Sequence, residues 1–147
     1  MKIHNDNIGD LAFEEKDIID FPEGMLGLPE YKRYLLIQKE ETKPFLRLQC
    51  IDAPQINFLA IDPAFADPGY KAFVVDSDPD HVFIDQGKDV ILLVVCNFAS
   101  DGSDVTANLQ APVIINHKTM KGRQIILLDS PYSLRHSLVN NARRREA

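Results

Sequence analysis

With 147 residues, of which 45% are hydrophobic and 26% charged, the chain has the length and composition of one globular domain spanning 1–147, and neither the low hydrophobicity of a disordered protein nor the repeats of a fibrous one. No apolar run approaches the ~18 residues of a membrane helix, the longest being Val90–Cys96. The formal net charge of −6 argues against a broad nucleic-acid-binding face, because phosphate contacts need clustered Lys and Arg.

Taken in chain order, the sequence reads almost entirely as strands. Residues 2–6 and 10–14 flank the break Asn7-Ile8-Gly9 and form a hairpin. A short strand at 18–21 stops at Pro22, which has no N–H for a ladder. A glycine-broken loop follows through Gly24 and Gly27, and Pro29 opens one helical turn to Arg33. Strands at 34–38, 45–51, 57–62 and 70–75 are separated by proline-containing turns. Val90–Phe98 is apolar on both faces and belongs at the centre of the sheet. Strands at 105–109, 113–116 and 124–128 complete the set, with Lys121-Gly122 as a turn signal. After Pro131, Leu134, Leu138 and Ala142 recur at helical spacing, predicting a C-terminal helix over about 133–145. Short strands without long helices between them indicate an all-β, antiparallel fold, and closing the sheet into a barrel removes exposed edges.

Motifs that carry catalysis or metal binding fail on inspection. Asp76-Ser77-Asp78-Pro79-Asp80 begins like a calcium loop, but His81 stands where glycine is required and Gly87 where a bidentate glutamate is required. His4, His81, His117 and His136 lie in separate segments without the spacing of helical zinc ligands. Asp129, Ser133 and His136 sit too close in one stretch, with no oxyanion loop, to be read as a triad. Asp52 and Asp62 end neighbouring strands near prolines, where side-chain hydrogen bonds to the turn explain them more simply than acid–base chemistry. Cys50 and Cys96 each lie inside an apolar run and read as buried free thiols. No catalytic residue, metal or cofactor is expected. The N-terminus lacks the apolar core of a secretory signal, so the sequence reads as cytoplasmic.

Charge is divided unevenly. Residues 62–104 hold nine aspartates against Lys71 and Lys88, whereas residues 105–147 hold two acids and seven bases, among them Arg143, Arg144 and Arg145. The acidic middle segment would steer toward a basic partner and repel RNA. Phe21–Leu28 places apolar residues in a loop, which most often pack inward, and Thr106–Asn116 alternates until Pro112 marks an edge or bulge.

A set of short motifs spread along the chain resembles the FliW family of flagellar assembly factors. They are Phe21-Pro22-Glu23-Gly24 with Gly27, Leu48-Gln49 with Asp52 and Pro54, Phe58, Asp62-Pro63, Thr106-Ala107-Asn108-Leu109 with Ala111-Pro112, Ile115-Asn116, Gly122, Gln124, Tyr132 and Arg135-His136. Their order and spacing make the set specific, although Leu28 replaces the usual aromatic, Ser137 the usual proline, and the Arg-rich tail lies outside the pattern. The resemblance implies a compact β-barrel without enzymatic activity. It also implies two mutually exclusive partners, a CsrA-type translational regulator and flagellin. The free protein would hold the regulator away from flagellin messenger RNA, and accumulating flagellin would capture the protein and release the regulator. Asp62, Phe65, Asp67, Tyr70, Asn108 and Gln110 are the expected contact residues, joined by Asp76, Asp78 and Asp80 as a like-charge barrier to RNA. A monomer suffices for this role. Two rivals are a small-ligand or carbohydrate hydrolase built on Asp52 and Asp62, and direct RNA binding through Arg123 and Arg143–Arg145.

Overall fold

The computed structural model describes residues 1–6, 8–70, 89–127 and 130–139. Within them the strands are β1 (Lys2–Asn5), β2 (Gly9–Ala12), β3 (Ile19–Asp20), β4 (Arg33–Gln38), β5 (Leu46–Cys50), β6 (Asn57–Ile61), β7 (Val90–Phe98), β8 (Val105–Ala107), β9 (Val113–Asn116), β10 (Lys121–Gln124) and β11 (His136–Ser137). Three 3-10 turns, Glu15–Asp17, Glu40–Thr42 and Pro63–Phe65, lie between them. β1 and β2 form a separate hairpin; the other nine strands form one sheet.

That sheet closes on itself. β7 through β6, β5, β4, β3, β10 and β9 make a continuous ladder, and β9 returns to β7. Every pairing in the ring is antiparallel except β3–β10. The long β7 makes closure possible because its halves serve different neighbours: Val90–Leu93 pair with β9, while Cys96–Phe98 pair with β8 along the same edge. β8 then carries β11, outside the ring. The expected antiparallel barrel is therefore present.

Strand alternation sorts the apolar residues into three layers. Ile19, Tyr34, Leu36, Leu48, Cys50, Phe58, Ala60, Ile91, Leu93, Val95, Val113 and Ile115 face one another inside the ring. On β7 the intervening residues Val90, Leu92, Val94 and Cys96 point outward, under Tyr70, Leu109, Ile114, Leu127 and Tyr132. This explains why β7 is apolar on both faces: one lines the barrel and the other is roofed. A third layer seats the β1–β2 hairpin, through Ile3, Ile8 and Phe13, on Leu35 of β4.

Several boundaries differ from expectation. Lys121-Gly122 is the start of β10 rather than a turn, and residues 125–127 continue past it only through Ile125 N–H to Pro112 O (3.0 Å) and Leu127 N–H to Gln110 O (2.8 Å). No helix begins at 133. His136 and Ser137 pair with Ala107 and Thr106, so the chain first joins the sheet; helical conformation starts only at 138–139, and the rest of the expected helix from 140 lies outside the described residues. The expected strand 70–75 also lies outside them, apart from Tyr70. The apolar loop packs inward as expected: Phe21 and Met25 are buried, leaving Leu26 exposed.

Candidate partner-binding groove

The segment after β6 contributes to a concave surface of the described residues. Pro63 ends β6 because it lacks the N–H that would extend the ladder. Its φ instead starts a 3-10 turn, capped by the Asp62 carboxylate, which accepts from Ala64 N–H at 2.9 Å. The turn projects Phe65, 54% exposed, while Pro63 beneath it is buried. The next carboxylate, Asp67, accepts from Gly69 N–H at 2.9 Å. Asp62, Phe65 and Asp67 thus line a groove of about 700 Å3 together with Leu36, Lys43 and Leu46 of the β4–β5 hairpin and Val90–Leu93 of β7. Lys43 in this lining is engaged by Glu40 at 3.0 Å.

Other expected contact residues lie elsewhere. Tyr70 is fully buried: its hydroxyl donates to Leu109 O at 2.6 Å and its ring meets Tyr132 edge-on at 4.8 Å. It roofs β7 and offers no exposed side-chain surface to a partner. Burial also raises its pKa. Asn108 spends its side chain on the turn after β8, accepting from Gln110 and Ala111 N–H at 3.1 Å each, and Gln110 is half-buried in that turn. Asp76, Asp78 and Asp80, with the calcium-like stretch, lie outside the described residues.

Nearly every motif that carried the resemblance has a structural task. Gln49, fully buried, donates to Cys50 O, Pro54 O and Ile56 O and accepts from Asn5, stitching the N-terminal hairpin to the β5–β6 turn. Gln124 accepts from Leu26 N–H at 2.9 Å and donates to Ala111 O at 3.0 Å, joining the apolar loop to the Asn108 turn. Gly24, at φ +67°, has Leu28 O and Pro29 Cα where a Cβ would stand, and Gly122 lies against the Phe21 ring inside the barrel. Asn116 caps its own turn through Lys118 and Thr119 N–H. The sequence pattern does not distinguish such residues from contact residues, since both are specific polar or glycine positions.

The hydrolase pair is separated. Because β5 and β6 run antiparallel, Asp52 and Asp62 leave opposite ends of their hairpin, on the order of 10 Å apart or more at ~3.4 Å per residue. Asp52 is gripped by Arg33 at 2.6 and 3.1 Å, which holds its carboxyl below the usual range. Ser133 Oγ accepts from Arg135 N–H and His136 lies in β11, while Asp129 is outside the described residues. Of the basic residues offered for RNA, Arg123 pairs with Glu23 at 3.4 Å, and Arg143–Arg145 lie outside the described residues. Among the described residues no group of three His, Cys, Asp or Glu could hold a metal, and no helix is long and apolar enough to cross a membrane. Cys50 and Cys96 are both buried and free.

The described residues define the class of small all-β barrels, here with an apolar groove edged by carboxylates. Comparison with known proteins narrows this class. The family model described as FliW protein matches residues 2–138. A flagellar assembly factor FliW from Geobacter sulfurreducens is 33% identical over 147 residues, covering 100% of this chain and 92% of the relative. One from Geobacillus kaustophilus is 37% identical over 138 residues, covering 94% and 95%. A crystal structure of the flagellar assembly factor FliW superposes with a TM-score of 0.81 at 36% identity, covering 94% of this chain and 96% of that one. The chain belongs to the FliW family.

Proposed function

We propose that this protein is a cytoplasmic, non-enzymatic flagellar assembly factor acting by stoichiometric capture. It binds a CsrA-type translational regulator, relieving repression of flagellin messenger RNA, and is itself captured by flagellin. The observation that carries the reading is the groove that Asp62, Phe65 and Asp67 line beside β7. An exposed aromatic among aliphatic side chains supplies an anchor of the kind that dominates binding energy, and the carboxylates favour a basic partner. The family name printed for the relatives supports the flagellar role. Switching between partners requires each to lower the affinity of the other by the same factor.

Calorimetric titration of the folded protein with purified regulator and with flagellin, separately and in competition, tests this. One-to-one binding of each, with saturation by one abolishing binding of the other, is expected. A folded protein that binds neither overturns the proposal.

A further inference from the structure

β4 spans the barrel from the groove, which its Leu36 and Gln38 line, to an end where a buried polar group stands unused. There Tyr34 is fully buried in the cluster that holds Phe21, Met25, Cys50 and Ala53, and no group among the described residues accepts a hydrogen bond from its hydroxyl. Tyr70, equally buried, does have an acceptor, Leu109 O at 2.6 Å. A buried donor without an acceptor costs free energy that a solvated donor does not. Burial, and after it Cys50 and the exposed Glu30 carboxylate, push the Tyr34 pKa up to about 12. Glu30 belongs to the chain that leaves the 21–28 loop, which sets the hydroxyl at the end of the barrel that this loop closes. The loop closes it with apolar side chains: Phe21 lies edge-on to the Tyr34 ring at 5.1 Å, and Met25 is buried.

The two halves of the loop are held differently. Phe21 is tied to the next strand by its N–H to Lys32 O at 2.7 Å. The tip, residues 24–28, is a turn closed on itself, in which Met25 and Leu28 bridge each other between Gly24 and Gly27 at φ +67° and +83°. It is fastened to β10 through a side chain, Leu26 N–H donating to Gln124 Oε1 at 2.9 Å. A glycine-flanked turn attached in this way can swing out without breaking a strand ladder. We infer that the tip 24–28 is a lid over this end of the barrel, held shut by Met25 and Gln124 and biased toward opening by the Tyr34 hydroxyl, which reaches water when the tip lifts. Shut, the lid buries Met25 and strands the hydroxyl. Open, it leaves a barrel mouth with apolar walls and a hydroxyl donor, the make-up of a small-molecule site. The inference does not depend on which partners the groove takes.

Tyr34→Phe in the full-length protein tests this, because it keeps the ring and removes the hydroxyl. The shut state then carries no unpaired donor, so opening becomes rarer. Amide hydrogen exchange at Leu26, followed where its rate reports the open fraction, should slow by about fivefold or more, the lower end of what an unpaired buried donor costs. The denaturant midpoint should be no lower than that of the parent, with Tyr70→Phe, which strips a bonded hydroxyl, marking the size of an ordinary loss. Slower exchange at Leu26 with an undiminished midpoint is the result expected. Slowing at Leu26 that falls short of this, even with a raised midpoint, would place the relief of the hydroxyl in global unfolding and overturn the lid. A midpoint below the parent's would mean that the hydroxyl is paired in the shut state, and overturns the inference as well.

Discussion

Gly122 sits inside the barrel on β10, opposite Ile115 of β9, and a Cβ there would fall under 3.0 Å from three atoms of the Phe21 ring. The ring is fully buried and held edge-on to Tyr34 at 5.1 Å, so it has no room to withdraw. Gly122→Ala should destabilise the fold by about 1–3 kcal/mol through overpacking. Denaturant midpoints measure it, and adding Phe21→Leu should recover part of the loss; additive losses would show that the ring is not the obstacle. Arg33 and Asp52 offer a test of a different kind. The Arg33 guanidinium, chiefly by hydrogen bonding, holds the Asp52 carboxyl below its ordinary value of 3.8. A lowered folded pKa gives stability that is fully present above the unfolded value and is lost as pH falls through the folded one. Both side chains are nearly half exposed, so solvent screening limits this pair to under about 1 kcal/mol. Asp52→Asn should therefore flatten the fall in unfolding free energy below about pH 4 slightly and leave its slope at neutral pH unchanged. An unaltered acid limb would contradict this.

Among elements, what the sequence revealed depended on whether a strand's two faces differ in kind. β4 to β7 and β9 announce themselves because their inward positions are consistently apolar, as in Leu46, Leu48 and Cys50. β10 is invisible by the same test: its inward position is Gly122, whose side-chain space is filled by Phe21, and its neighbours Lys121, Arg123 and Gln124 are polar. β11 was masked by a competing helical period through Leu134 and Leu138, which two sheet residues are too few to contradict. At the groove, Asp62 and Phe65 were legible as acid and aromatic beside prolines, whereas Tyr70 looked alike in sequence and is core, because burial is decided by the β7 roof that only the fold supplies. Gln124 shows how elements are joined across that gap in legibility. Its side chain is the bond between the 24–28 loop and the 108–112 turn. Gln124→Ala leaves Leu26 N–H and Ala111 O without these partners and should cost about 1–2 kcal/mol. The opening should be local: amide exchange at Leu26 should accelerate more than at ring residues such as Leu48. Uniform acceleration would mean that the clamp holds the whole barrel and not the loop.

At the scale of the molecule, the closed ring and its roof should not come apart together. Cys50 points into the barrel among Tyr34, Leu48 and Ile19, and exposing it requires breaking the ladder that runs around the ring. Cys96 points outward beneath Ala107 and Leu109, under the β8–β11 branch, which is attached along one edge of β7 only. That branch can lift while the ring stays shut. Burial raises both thiol pKa values, that of Cys96 to about 12, so at pH 8 neither is appreciably ionised in the folded protein and modification reports opening alone. With a maleimide reagent in sub-denaturing urea, Cys96 should be labelled well ahead of Cys50, with peptide mass spectrometry assigning the sites. Labelling of the two in step would show that roof and ring form one cooperative unit, and Cys50 reacting first would mean that the ring opens elsewhere than at the β8–β11 branch.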